Sequence, residues 1–448
     1  MNSHIASADV HVAGFSVAKG PVAGNTLVTV TGTQDFINSW ETGTLRCRFD
    51  TEIVVGTFVT SSTMQCYSPG HAATSGVPLE ISSNNQDYST EGMTFEYQDD
   101  VDVTLIFPIG GSTAGGTIVT VSGDAFTNDA TCRFNLALAT SATVQSSSTM
   151  LCESPAHAAG LAAVEVTNNG QQFTGLDVQY QYYEPLQVSN VLPTTGPVDG
   201  HTVVTVYGSN FIGSMPLLCA FGTTIQVSAS WESSSELRCE SPSEVSGTVS
   251  VEVSNNNQDY TSDAVSFEYQ ATIQVSGVSV SNGPELGNTL VTVTGSNFVQ
   301  SDKLRCRFDL DVVSATVVSA STTALQCVTP AHDPSTQLVE VSNNDQDYVN
   351  SAGVTFTFDY TVHVEQVDPP LGDAAGGTLV TVSGLEFRSP AWCRFDVTAG
   401  IVATVQSSSQ LVCTSPSHVA GPVAVEISNN NQDYSTDLVQ YLYYGMFW

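Results

Sequence analysis

Ten cysteines carry the most constrained chemistry of this chain, because they fall in five pairs at a nearly constant interval. Cys47, Cys132, Cys219, Cys306 and Cys393 recur every 85 to 87 residues, and Cys66, Cys152, Cys239, Cys327 and Cys413 follow them at spacings of 19 to 21. Two thiols per repeat can oxidise to a disulfide or bind a soft metal. With neither a Cys-x-x-Cys nor a fixed His pair beside them, two ligands do not make a tetrahedral zinc site. One disulfide inside each repeat is the favoured reading, and it requires an oxidising compartment. Each bond would close a loop of about 20 residues and stabilise its repeat by about 3 kcal/mol in the chain-entropy model.

Other reactive side chains recur with the same period. A histidine stands five residues after the second cysteine (His71, His157, His332, His418), with Glu244 in the third copy. A loop position accounts for it, a pH switch or surface metal site being the sharper alternative. The tract Asn84-Asn85-Gln86-Asp87-Tyr88 returns within 255–260, 343–348 and 429–434 and is altered to Asn168-Asn169-Gly170-Gln171-Gln172-Phe173 in the second copy. Asn and Asp suit a turn, since they bond local backbone and tolerate positive φ. Calcium would need more carboxylates than one Asp per tract. A contact between neighbouring molecules is the third reading, because five copies would present it at regular intervals. The Ser-rich turns 146–148, 233–235 and 407–409 offer O-glycan acceptors, and no Asn-x-Ser/Thr acceptor occurs. No Gly-x-Ser-x-Gly elbow, phosphate loop or His-Glu-x-x-His is present, so neither an enzyme nor a cofactor is expected.

The formal charge of -34, from 44 acidic and 10 basic residues, leaves no means of neutralising a phosphate backbone and repels anionic lipid. Nucleic acid and membrane surfaces are thereby excluded as partners. No run of eighteen apolar residues exists that would insert in a bilayer. Met1 to Val10 lacks the basic and apolar regions of a secretory signal, so oxidation requires a leader already removed or a longer parent polypeptide.

The elements that must position these residues are strands. In Thr26 to Gly32, Val28 and Val30 alternate with Thr29 and Thr31, the pattern of a half-buried strand, and the valine pair recurs as Val119/Val121, Val204/Val206, Val291/Val293 and Val380/Val382. About seven short strands per repeat, with turn signals every eight to twelve residues, predict an all-β chain of two-sheet sandwiches. The units run 9–98, 101–183, 186–270, 273–360 and 362–444, followed by an aromatic tail at 445–448. Junctions such as Gln98 to Val101 and Glu184-Pro185 leave little slack, so an elongated, semi-rigid rod is expected.

The Gly-Gly-Thr-x-Val-Thr-Val-x-Gly segment, complete at Gly376 to Gly384, together with Cys-x-Phe and Cys-x-Ser-Pro, resembles the IPT/TIG domains, the immunoglobulin-like (E-set type) modules shared by plexins, related receptors and some transcription factors. The resemblance covers nearly the whole chain in five copies. It implies the fold and an extracellular or cell-surface disulfide, and no activity. In such a sandwich the strand of Glu80, Glu165, Glu252, Glu340 and Glu426 lies beside that of Arg48, Arg133, Arg307 and Arg394, which predicts outward-facing ion pairs of at most about 1 kcal/mol each. The third copy carries Ala220 in place of the arginine.

Copy 1 matches copy 4 and copy 2 matches copy 5, so the array has a higher-order unit of three domains. The function expected is that of a structural subunit of an extracellular filament or cell-surface fibre that self-assembles with copies of itself or with neighbouring domains of a longer array. Tyr443, Tyr444, Met446, Phe447 and Trp448 are the candidate assembly contact. An adhesin or receptor ectodomain binding protein or glycan through its loops is the alternative, and an accessory region of a secreted carbohydrate-active enzyme is the third.

Overall fold

The structure, a computed structural model, describes residues 10–32, 36, 43–223, 225–318 and 322–445, and every regular element among them is a strand. The fourth domain shows the plan. Its strands are Gln274–Val278, Asn282–Pro284, Leu290–Ser296, Arg305–Phe308, Asp311–Val317, Ala324–Val328, Ser335–Ser342 and Thr355–Asp359. One layer sets Leu290–Ser296 between Gln274–Val278 and Ala324–Val328; the other runs from Arg305–Phe308 through Ser335–Ser342 and Thr355–Asp359 to Asn282–Pro284. Asp311–Val317 crosses between them, pairing first with Arg305–Phe308 and then, from Ala315, with Ala324–Val328. The eighth strand, Asn282–Pro284, lies parallel to Thr355–Asp359. It adds one strand to the seven expected, because three residues containing Gly and Pro carry no alternation to read.

Alternation decides what each layer buries. Val291 and Val293 are fully buried, as are the four equivalent pairs, while Thr29 is half-buried and Thr31 exposed. Each such valine contributes on the order of 1.5–3 kcal/mol. Cys306–Cys327 links the two layers at a Cα separation of 6.4 Å, and Cys47–Cys66, Cys132–Cys152, Cys219–Cys239 and Cys393–Cys413 do the same in the other domains. No free cysteine remains among the described residues. An edge-to-face set of rings fills the far side of the core, with Phe308–Phe356 and Phe356–Phe358 centroids 5.8 and 5.0 Å apart.

Five separate cores result, one per domain. Between the last strand of each domain and the first of the next stand only three residues, 99–101, 184–186, 271–273 and 360–362. With so little chain between them, neighbouring sandwiches must touch, and the residues that meet there decide how they are held.

Candidate functional site, a repeated interdomain joint

The Asn-rich tract folds as a turn built on one asparagine. Asn84 Oδ1 accepts from the N–H groups of Gln86 and Asp87 at 2.9 and 2.8 Å, and its Nδ2 donates to Asp87 Oδ2 at 2.8 Å. The next residue is left-handed in every copy: Asn85 (φ 60°), Asn257 (60°), Asp345 (63°) and Asn431 (59°), with Gly170 (76°) in the second domain. The altered tract of copy 2 is therefore the same turn with glycine where a positive φ is needed. Its Asn169 Oδ1 accepts from Gln171 and Gln172 at 3.0 and 3.2 Å.

In domains 2 to 5 this turn reaches onto the preceding domain. Asp259 Oδ2 accepts from the Thr117 hydroxyl at 2.6 Å, Asp347 from Thr202 at 2.7 Å and Asp433 from Thr289 at 2.7 Å. Beside them, Asn256, Asn344 and Asn430 Nδ2 donate to the carbonyls of Gly110, Thr195 and Asn282 at 3.1, 2.8 and 2.9 Å. At the first junction Gln172 Oε1 takes the place of the carboxylate, accepting from Thr26 at 3.0 Å, and Asn169 Nδ2 donates to Lys19 O at 3.3 Å. Gln171 adds a pair of bonds to the N–H and C=O of Leu27, 2.8 and 2.9 Å, and the amide of Gln258 faces Ile118 in the same way at 3.1 and 3.0 Å. Ion pairs reinforce the two outer junctions: Lys19 with Asp129, and Arg388 with Asp359.

The socket is positioned by the motif that builds the fold. Thr26, Thr117, Thr202 and Thr289 are fully buried. Each has its N–H on the hydroxyl of the Ser or Thr that precedes proline after the second cysteine, at 3.1 to 3.2 Å, from Ser68, Ser154, Ser241 and Thr329. A glycine opposite makes the room: a Cβ on Gly20, Gly111, Gly196 or Gly283 would stand 2.2 to 2.3 Å from the threonine Oγ1. Any other residue there would push the hydroxyl away from its neighbour. A bond to a carboxylate, as at three of the four junctions, contributes about 1.5–3 kcal/mol, and the same contact recurs at each, so the joint is specific and not a chance touching of surfaces. Cavities of ≈ 220 Å³ between domains 4 and 5 and ≈ 250 Å³ between domains 1 and 2 open beside these contacts.

The ring of the tract has its own role. Tyr88, Phe173, Tyr348 and Tyr434 cover Arg48, Arg133, Arg307 and Arg394, with the guanidinium carbon 4.1, 3.6, 4.1 and 4.4 Å from the ring centre. Beneath, the arginine Nε atoms donate to Glu80, Glu165, Glu340 and Glu426 at 2.6, 2.8, 2.7 and 2.5 Å. These glutamates are less exposed than an outward position suggests, Glu165 being 4 % and Glu426 8 % accessible, because the ring and guanidinium lie over them. In the third domain Glu252 instead receives the Thr261 hydroxyl and the N–H groups of Asp263 and Ala264.

The recurrent histidines stack on the last core aromatic: His71 on Tyr97, His157 on Tyr182, His332 on Phe358 and His418 on Tyr443, at 4.8 to 5.1 Å. Each ring Nδ1 lies 2.7 to 2.9 Å from the carbonyl of the following residue. Among the described residues no group of three or more His, Cys, Asp or Glu side chains is arranged to hold a metal ion. Burial pushes the hydroxyls of Tyr97, Tyr269 and Tyr443 up to about 12.

The aromatic end of the chain divides. Tyr443 is 1 % exposed and belongs to the core of domain 5, which removes it from any assembly contact; its place on the inner face of strand Val439–Tyr444 follows from alternation with Tyr444, which is 46 % exposed. Met446, Phe447 and Trp448 lie outside the described residues. The Ser-rich turns are exposed links into the strand of the second cysteine, Ser233 alone being half-buried. The tract stands out in the sequence and its threonine partner does not; the one signal for it is that Gly-Asn-Thr, Gly-Gly-Thr or Gly-His-Thr occurs in every copy, near the start of the repeat whose end carries the tract.

The chain matches over 354 residues, at 25 % identity, Fibrocystin-L of Mus musculus, covering 73 % of this chain and 8 % of that protein. Fibrocystin-L of Homo sapiens matches over 343 residues at 24 %, covering 74 % and 8 %. The chain thus spans under a tenth of the length of these relatives. Among solved structures, the full extracellular region of plexin A4 aligns with 96 % of this chain and 50 % of its own, at 12 % identity and a TM-score of 0.32, and the bacterial integrin-binding protein invasin with 77 % and 79 %, at 9 % and 0.23. The IPT/TIG domain model matches residues 11–97, 102–182, 186–269, 274–358 and 363–443. Covered by that model five times over almost its entire length, the chain belongs to the IPT/TIG domain family.

Proposed function

We propose that the chain is a structural subunit of an extracellular filament or cell-surface fibre, in which disulfide-stapled domains are held in fixed succession by the joint. The observation that carries this reading is the recurrence of one part-buried polar contact, made to a fully buried threonine, at all four junctions. Domains that serve only as separate binding modules are ordinarily joined by slack linkers and small interfaces, which leave their relative motion free. Here three-residue linkers and a repeated contact restrain it. Five disulfides support a place in an oxidising, extracellular setting. The charge of -34 supports solubility at high density of chains. We assign no reaction to it: the recurring Asn, Asp, Glu and His side chains are engaged in turns, joints and stacking. Electron microscopy of native material tests the reading. Filaments with an axial repeat of a few domain lengths support it, and single particles bent at random angles refute it.

A second reading, an adhesin or receptor ectodomain, is favoured by one feature. Leu136, Leu310 and Val397 are 90 %, 85 % and 83 % exposed at the tip of the same hairpin in three domains, where an apolar side chain contributes nothing to its own fold. Specific capture of a protein or glycan ligand by monomeric chains, lost on substituting these tips, would select that reading.

A further inference from the structure

The four joints share one polar contact but differ in what lies beside it. At the first and fourth junctions the cavities of ≈ 250 and ≈ 220 Å³ run against the linker itself, touching 99–101 and 360–362. Equivalent residues line both, Gly20 and Gly283, Asn169 and Asn430, Val101 and Val362. At the third junction the corresponding space is only ≈ 30 Å³, and Ile273, 5 % exposed, takes the place that valine holds in the other two. A separate cleft of ≈ 300 Å³ beside Lys303 touches no linker residue. The second junction is closed by two side chains. Tyr183, at the strand position of Gln98 and Asp359, is 5 % exposed, and burial together with the Asp259 carboxylate of domain 3 keeps its hydroxyl protonated above the usual tyrosine range. Met215 of domain 3 is 6 % exposed and reaches domain 2 so closely that a Cβ on Gly110 would stand 2.4 Å from its methyl carbon.

Charge follows the same division. The ion pairs that cross a junction, Lys19 with Asp129 and Arg388 with Asp359, lie at the two hollow joints, and among the described residues none crosses the second or third. The pairs have opposite polarity, with the cation on domain 1 at the first junction and on domain 5 at the fourth, so they are separate solutions to one need. Linked domains swing against one another unless apolar packing prevents it. A close-packed contact resists such a swing because its side chains have no void to move into. At the second and third junctions Tyr183, Met215 and Ile273 would have to be displaced; at the first and fourth nothing of that kind stands in the way.

We propose that the chain has two kinds of joint: packed ones at the second and third junctions, which fix the angle between domains, and hollow ones at the first and fourth, which act as hinges, each latched by a single ion pair. The threonine contact stays closed as the pivot of the hinge. The period of the array agrees with this division. Because copy 1 matches copy 4 and copy 2 matches copy 5, the first and fourth junctions are the same position of the three-domain unit. The two latches differ in strength. The Asp129 side chain is 74 % exposed, whereas that of Asp359 is 7 % exposed and also accepts from Asn282 Nδ2 at 2.9 Å. Salt therefore screens the first latch and largely spares the fourth. The inference goes beyond the filament reading and does not depend on it, since it concerns only where along the chain bending is allowed.

Distances between spin labels on adjacent domains of the full chain, measured one junction at a time, test it. The wild type should give broader distributions at the first and fourth junctions than at the second and third. Raising the salt from about 0.01 M to about 1 M, which shortens the screening length from ~30 to ~3 Å, should broaden the first junction and leave the second and third unchanged. Lys19→Met should show at low salt the width that the wild type reaches at high salt. Met215→Ala, which hollows the second junction, should broaden it, and Gln98→Tyr, which copies the seal made by Tyr183, should narrow the first. Circular dichroism and intact disulfides check that the variants fold. Equal widths at all four wild-type junctions would overturn the two kinds of joint. A first junction left unchanged by Gln98→Tyr would overturn the part played by the cavity, and salt that broadens the second junction as much as the first would overturn the latch.

Discussion

Replacing Arg133 by alanine tests how the loop and the sheet beneath it are held. Glu165 is 4 % exposed and accepts from Arg133 at two points, 2.8 and 3.0 Å, under the Phe173 ring. Removing the guanidinium leaves a carboxylate covered and without its cation. Breaking a buried pair in this way costs about 3–5 kcal/mol, but the Arg133 side chain is 25 % exposed, so water enters and about 2–3 kcal/mol is expected. That is a loss of about 30- to 150-fold in the free-energy scale of local opening. Hydrogen exchange of the intact chain, read on peptides from strand Gly160–Thr167, measures it directly, with strand Ser335–Ser342 of domain 4 as internal control. The double variant Arg133→Ala/Glu165→Ala removes the stranded charge and should recover part of the loss. If Arg133→Ala exchanges like wild type, or if the double variant is less protected than the single one, the account of the pair is wrong.

Other outcomes follow from the same geometry. Asp433→Ala removes the acceptor of the Thr289 hydroxyl, and spin labels on domains 4 and 5 should report a broader distance distribution, while Asp87→Ala leaves that distribution unchanged; equal distributions for Asp433→Ala and wild type would show that the loop does not hold the joint. Replacing Cys219 and Cys239 by serine should lower the melting of domain 3 alone, by about 3 kcal/mol or roughly 12–24 °C for a domain of this size. Scanning calorimetry would show one displaced transition, and a uniform shift of all domains would contradict five independent cores. Tyr97, Tyr269 and Tyr443 keep their protons to about 12 when folded but ionise near 10 when unfolded. The folded state then binds more protons between those values, so their contribution is complete below pH 10 and lost as pH rises toward 12. Ultraviolet titration should show these phenolates appearing with unfolding; ionisation in step with exposed tyrosines would refute their burial.

The sandwich was legible because its determinants are local. Val28 and Val30 declare a buried face by alternation, and Cys47 with Cys66 declares a bond between strands by its recurrence. What the sequence hid was longer in range. The turn chemistry of Asn256 to Asp259 is visible in four residues, but its partner Thr117 stands 142 positions earlier, inside a motif whose every residue already had a structural reason. Nothing within the tract itself says that its tyrosine covers an arginine, as Tyr434 covers Arg394. Tyr443 and Tyr444 look alike in an end rich in aromatic residues, and only the alternation along their strand separates the buried ring from the exposed one.

Because every domain carries the loop on one side and the threonine on the other, the joint is inherited whole whenever a domain is duplicated. An array can lengthen by one unit or by three without inventing a new surface, since each added copy arrives already complementary to whatever stands before and behind it. Drift in one copy is tolerated if the turn survives, as Gln172 in place of the aspartate illustrates. The number of domains can then change while the seam between neighbours keeps its plan.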